Sequence, residues 1–156
     1  MKSFRLTIFS VALALIACLQ ACSTGGVNVV PVPLSAHLEA LYIVDGGDEW
    51  PPEFLPAVVR KVSAMGFIPV VVTSQEEVPE GGASLSAAMR LSRGTIPSYT
   101  YIRFDIRRDG RLLGYATGDS GEGLHAMGTA SDRIEPLLER LLALAGSVTP
   151  RDSKSK

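Results

Sequence analysis

The sequence predicts an α+β fold: a two-layer α/β sandwich in the order β-α-β-β-β-α, with a mixed four-stranded sheet and two helices on one face. Three observations predict it. Residues 38–73 read as strand, helix and strand. Residues 98–117 alternate apolar and polar side chains around an Asp109-Gly110 turn. A stripe of leucines at helical spacing closes the chain.

The chain opens with a basic start, Met1 to Arg5, and an uncharged apolar run, Leu6 to Ala17. Extended through Ala21, this run reaches 16 residues, below the ~20 needed to span a bilayer core. Basic start, apolar run and small residue in that order read as an export signal over 1–21, in preference to an uncleaved helix.

Leu19-Gln20-Ala21-Cys22 resembles the lipobox of bacterial lipoproteins, although Gln20 is an unusual occupant of its position. The resemblance implies cleavage before Cys22, a diacylglyceryl group on its thiol and acylation of the new amino group. Cys22 is therefore the expected lipid-attachment residue, and two or three acyl chains would anchor the protein stably. Ser23 stands where that family carries an aspartate for inner-membrane retention. An outer-membrane address facing the periplasm is the expectation.

Residues 22–35, with Gly25, Gly26, Pro31, Pro33 and no charge, read as a lipidated flexible tether that lets the domain stand off the membrane. The domain is expected over 36–146, followed by a polar disordered tail over 147–156.

Leu38 to Val44 is nearly all apolar, as in a central strand. Asp45-Gly46-Gly47-Asp48 stops it. Phe54, Val58, Val62 and Met65 recur at helical spacing, Pro56 fits the first turn, and Gly66 ends the helix. Phe67 to Thr73 is the next strand, parallel to the first. Pro69 cannot donate to a ladder, which places this strand at a sheet edge. Residues 75–82 read as a polar loop and Ala83 to Ser92 as a short helix ending near Gly94.

Asp109-Gly110 suits a two-residue type I′ turn. The expected register sets Ile106 against Leu113, Phe104 against Tyr115 and Ile102 against Thr117, with Tyr101, Arg103, Asp105 and Arg107 on an open face. Ser131 or Asp132 is the expected cap of the last helix, with Pro136 in its first turn. Ile134, Leu137, Leu138, Leu141, Leu142, Leu144 and Ala145 form its apolar stripe, read as packing on the sheet rather than as a partner surface.

This layout resembles small uncharacterised proteobacterial envelope lipoproteins, in an arrangement like that of the lipopolysaccharide-assembly plug lipoprotein. The segments YIVDGGDEWPPEFLPAVVRKVSAMGFIPVVV and FDIRRDGRLLGYATG carry the likeness, which is one of pattern and not of catalytic motif.

Composition excludes some functions. Residues 1–21 carry Lys2 and Arg5 and no acid, so the mature chain keeps thirteen basic and sixteen acidic side chains, a net charge of −3. That balance argues against nucleic acid as a partner. Cys18 and Cys22 are the only cysteines, so the domain itself has no disulfide and depends on its apolar core.

No catalytic, metal or cofactor site is expected. Gly118-Asp119-Ser120-Gly121 resembles the nucleophile segment of trypsin-like proteases, with His37 upstream, but such enzymes need two β-barrels and over 200 residues. Asp45, Asp48 and Glu49 lack the alternating spacing of a calcium loop and read as a solvated turn. His37 and His125 are too few for zinc, and Gly121-Glu122-Gly123 lacks a phosphate-loop frame. Arg103, Arg107, Arg108 and Arg111 gather near the hairpin, where they either touch anionic lipid or a partner, or guard against edge pairing. Trp50 and Tyr101 are candidate exposed anchors of an interface.

The functional expectation is a non-catalytic, membrane-anchored lipoprotein that binds a protein partner in envelope assembly or maintenance. The alternative is an accessory or ligand-binding subunit of an envelope transport system, which would carry an apolar cavity between sheet and helices. A serine hydrolase is the third reading, and it requires a histidine beside Ser120.

Overall fold

The computed structural model describes residues 26–91, 99–119 and 130–145. Its elements are β1 (Val27–Val30), β2 (Ala40–Val44), α1 (Phe54–Ala64), β3 (Ile68–Val72), β4 (Ala83–Leu91), β5 (Tyr99–Arg108), β6 (Arg111–Asp119) and α2 (Ala130–Leu142). The α+β class holds. Among the described residues the sheet has six strands, not four, in the order β1-β6-β5-β4-β2-β3. β2 is parallel to β3 and β4; the other pairs are antiparallel.

Two strands account for the difference. β4 occupies the segment expected as a short helix. Ala83 and Leu85 are buried and Ala87 and Met89 pack on the core, whereas Ser84, Ser86, Ala88 and Arg90 take the other side. The period is therefore two, hidden in a composition of Ala, Leu and Met that suits helices. Pairing with β2 on one side and β5 on the other overrides that propensity.

β1 lies within the segment expected as a tether. Val27 to Val30 pairs with β6, Val32 is fully buried and its N–H donates to the Leu141 carbonyl at 2.9 Å. The folded domain thus begins by Val27, not near residue 36. Cys22 lies outside the described residues, as do Ser120, His125 and the tail 147–156.

The parallel β2-α1-β3 unit is as expected. Gly66 takes φ 89° after α1, a left-handed conformation that favours glycine. β3 is an edge strand with Pro69 in it. The Ile68 N–H bonds to the Glu39 carbonyl and the Asp45 N–H to the Val72 carbonyl, so alternate residues Pro69 and Val71 turn their backbone groups outward. Proline therefore removes a donor from the free edge.

The β5-β6 hairpin turns at Asp109 and Gly110, with φ of 49° and 75°, both positive as a type I′ turn requires. Its register is one residue away from the expected one. Ile106, Phe104 and Ile102 face Gly114, Ala116 and Gly118, because a bulge falls between Ile106 and Arg107. The shift places small residues on the core face. A Cβ on Gly118 would lie 3.1 Å from Leu137 Cδ1, and one on Gly114 would lie 2.7 Å from the Val30 carbonyl oxygen. The larger Tyr115 and Thr117 turn to the other face.

Both helices pack on the face formed by Leu41, Ile43, Leu85, Ile102, Phe104 and Ile106. Phe54 and Val58 of α1 and Ile134, Leu138 and Leu141 of α2 close this core. Each fully buried side chain of this size contributes about 1.5–3 kcal/mol. Phe54 and Phe104 stack at 6.0 Å between centroids. Exposed ion pairs, Lys61 with Glu139 and Arg60 with Glu135, join the helices and add little. Pro136 lies inside α2, beyond its first turn, at the loss of one helical hydrogen bond.

Candidate functional site

The helices cover one face of the sheet. Among the described residues, the other face is covered by no helix, and its middle strands carry arginines and tyrosines that meet across strands, directly for Arg90 and Tyr101 and diagonally for Arg103 and Tyr115. Arg90 of β4 faces Tyr101 of β5, with its Cζ 5.7 Å from the ring centroid. Arg103 of β5 lies over Tyr115 of β6 at 4.9 Å. Asp105 joins the set: Arg103 Nε donates to Asp105 Oδ1 at 2.8 Å, and Arg107 reaches Asp105 Oδ2 at 3.7 Å. At the far side of β6, Asn28 Nδ2 donates to the Tyr115 hydroxyl at 3.3 Å.

The local cause is strand alternation. Ile102, Phe104 and Ile106 point to the core, so Tyr101, Arg103, Asp105 and Arg107 must point away from it. The bulge then brings Tyr115 and Thr117 onto the same face as Arg103. The hydrogen bond to Asp105 raises the Arg103 pKa and fixes the guanidinium as a cation. Three arginines, Arg90, Arg103 and Arg107, against two carboxylates, Asp105 and the Asp119 that pairs with Tyr101, leave this strip with a small positive excess on a chain of net negative charge. Flat guanidiniums held on tyrosine faces are preorganised and lose little entropy on contact with a partner.

The four hairpin arginines do not act together. Arg103 and Arg107 share Asp105 on the open face. Arg108 Nη1 donates to the Ala36 carbonyl at 2.8 Å and ties the hairpin to the segment before β2. Arg111 is exposed beside the turn. Arg90, Tyr115 and Asn28 are not among the candidate functional residues that the sequence offers. Arg90 was hidden by the helical reading of β4, Tyr115 by the one-residue register error, and Asn28 by the tether reading.

The loop between β3 and β4 shields the β2 end of the same face. A Cβ on Gly82 would meet Tyr42 Cε2 and Val78 Cγ1, both at 3.1 Å, so loop and strand are in close contact there. Thr73, through its hydroxyl and its N–H, donates to the Glu77 carboxylate and lowers its pKa.

The remaining candidates resolve as follows. Trp50 is half-buried, edge-on to Phe54 at 4.8 Å and packed on Gly46, where any Cβ would overlap its indole. It belongs to the border of the core and is not an exposed anchor. Asp45 Oδ1 accepts from the Gly47 N–H at 3.0 Å, the geometry of a turn. Among the described residues, no three His, Cys, Asp or Glu residues group as metal ligands, and no helix is long and apolar enough to cross a membrane. His37 takes φ 46° at the end of a short 3-10 turn. Its proposed partner Ser120 is outside the described residues.

A second feature is a cleft of about 210 Å³ between the first turns of α2 and strands β1, β5 and β6. It is lined mainly by Val27, Tyr101, Ile102, Pro136 and Leu137, with Asp119, Asp132 and Arg133 among its polar groups.

No family model matches the chain, and no curated protein matches it. Solved structures do. The chain is similar to the PelC dodecamer from Paraburkholderia phytofirmans in space group P6, with TM-score 0.55 and 15% identity over 81% of this chain and 100% of that one. It is also similar to the dodecamer of a leucine-to-methionine variant of that protein in space group C2, with TM-score 0.53 and 16% identity over 76% of this chain and 98% of that one. At such identity the likeness establishes a shared fold and nothing more.

Proposed function

We propose that this chain is a non-catalytic envelope lipoprotein, anchored through acyl chains on Cys22 to the outer membrane and facing the periplasm, whose domain binds a protein partner in envelope assembly or maintenance. The observation that carries the reading is the uncovered arginine–tyrosine strip on the sheet. Tyrosine and arginine are the side chains that concentrate binding energy at protein interfaces. Here they are held against one another by the sheet and by Asp105. The PelC neighbours were crystallised as dodecamers, which supplies one concrete identity for the partner: further copies of the same chain.

The transport-accessory reading rests on the cleft beside α2. Its volume of about 210 Å³ is below the roughly 300–1,000 Å³ of small-molecule sites, and the larger hollow of about 460 Å³ between α1 and α2 is open and edged by Lys61 and Glu139, so the partner reading is preferred.

The test is photo-crosslinking in cells, with a benzophenone amino acid at Thr117 on the open face or at Glu139 on the exposed side of α2. Thr117 should give a discrete adduct, identified by mass spectrometry, and Glu139 should not. Equal adduct patterns at both sites would remove the open face as the interface. Cys22→Ala should abolish palmitate labelling and membrane fractionation; unchanged labelling would end the lipoprotein reading.

A further inference from the structure

We infer that the cleft end of the domain, where β1 begins, rests on the lipid surface. This rests on the lipoprotein reading of Cys22. Gly26 is already fixed to the fold, since its carbonyl accepts the Asp119 N–H at 3.1 Å. Only Ser23, Thr24 and Gly25 separate it from Cys22. Four Cα steps reach at most ~14 Å even when fully extended. A domain of this size has a radius of gyration of about 13 Å, so such a leash cannot hold it clear of the bilayer. The long tether expected from the prolines is consumed by β1 and the buried Val32.

The leash also decides which surface meets the membrane. Val27 pairs with Gly118, Gly118 with Ile102, and Leu91 with Tyr99, so these residues share one end of the sheet. That end exposes Val27 (51%) and Leu91 (38%) beside a cleft lined by Tyr101, Pro136 and Leu137. Apolar side chains with tyrosine among them suit the boundary between headgroups and acyl chains. Among the described residues the charges there balance: Arg90 and Arg133 stand against Asp119 and Asp132. The occupant is therefore the interfacial layer of the bilayer in general, not anionic headgroups in particular.

The experiment uses the full chain, processed and lipidated in cells, purified and reconstituted in phosphatidylethanolamine–phosphatidylglycerol vesicles. With Cys22 acylated, a cysteine introduced at Leu91 or at Leu112 is the only free thiol. The two leucines are equally exposed at 38%, and Leu112 lies at the hairpin end. An environment-sensitive fluorophore on Leu91→Cys should be quenched by headgroup nitroxide lipid several-fold more than on Leu112→Cys. The contrast should persist in vesicles of phosphatidylcholine alone and after a twenty-residue Gly/Ser insertion behind Thr24. Equal quenching at both sites in a chain that does carry lipid overturns the docking inference alone. Loss of the contrast with the insertion shows the leash alone setting the contact, and overturns the assignment of the apolar end as a surface with its own affinity for lipid. A chain that takes up no palmitate overturns the lipoprotein reading, and the inference with it.

Discussion

Two glycines of β6 separate a steric requirement from a tolerated one. At Gly114 a Cβ meets backbone, the Val30 carbonyl at 2.7 Å and the Val32 nitrogen at 2.9 Å. At Gly118 it meets only the end of Leu137, at 3.1 Å. Gly114→Ala should therefore lower stability by about 1–3 kcal/mol and Gly118→Ala by distinctly less, as read from urea unfolding midpoints. Tyr99 makes a second case. It is buried (6% exposed), and its pKa is pushed up to about 12 by burial first, then by the charge and the hydrogen bond of Glu53. A tyrosine ordinarily titrates near ~10. The folded state thus holds its proton more tightly than the unfolded chain does. Its contribution to stability is complete below about pH 10 and is lost as pH rises toward about 12. Phenolate absorbance should show one late-titrating tyrosine that vanishes in Tyr99→Phe.

At the scale of elements, β2, α1, β3, the hairpin turn and α2 could be read from periodicity, caps and turn chemistry. β4 and β1 could not. β4 is a run of helix-favouring residues that becomes a strand because β2 and β5 both need a partner. β1 carries only four residues, VNVV, among glycines and prolines, and exists because β6 offers it an edge. The hairpin register was misread because pairing apolar with apolar residues ignores the room that Leu137 and Val32 require opposite Gly118 and Gly114. Pro69 is the informative residue of β3. It blanks an outward position on a strand that otherwise exposes Ile68 (63%) and Val71 (46%). Pro69→Val restores that N–H, and sedimentation should show stronger concentration-dependent association than in the parent protein.

At the scale of the whole molecule, the sheet has one face packed under both helices and one that, among the described residues, no helix covers. The covered face holds the aromatic and leucine core. The uncovered face holds Arg90, Tyr101, Arg103, Asp105, Arg107 and Tyr115. Arg103→Glu should change unfolding free energy by no more than about 1 kcal/mol, since its ion pair is partly solvated. It should nevertheless abolish the adduct formed from Thr117, because it reverses the charge at the centre of the strip. A loss of both folding and adduct would make Arg103 structural. With the proposed anchor at Cys22, the short leash sets an orientation: the β1 end toward lipid, with the arginine–tyrosine strip running away from it along the sheet.

The sequence by itself determined the α+β class, both helices, the parallel unit, the edge position of β3 and the Asp109-Gly110 turn. It also supplied the lipobox resemblance at Cys22. Each depends on local pattern: side-chain period, proline, positive-φ turns and a contiguous motif. Tertiary structure alone decided that residues 27–32 join the fold, that 83–91 is a strand, and that a bulge shifts the hairpin by one. These outcomes depend on which backbone edges lack a partner and how closely a helix approaches. Through the bulge and the two added strands, they also assembled the face to which a partner is assigned here.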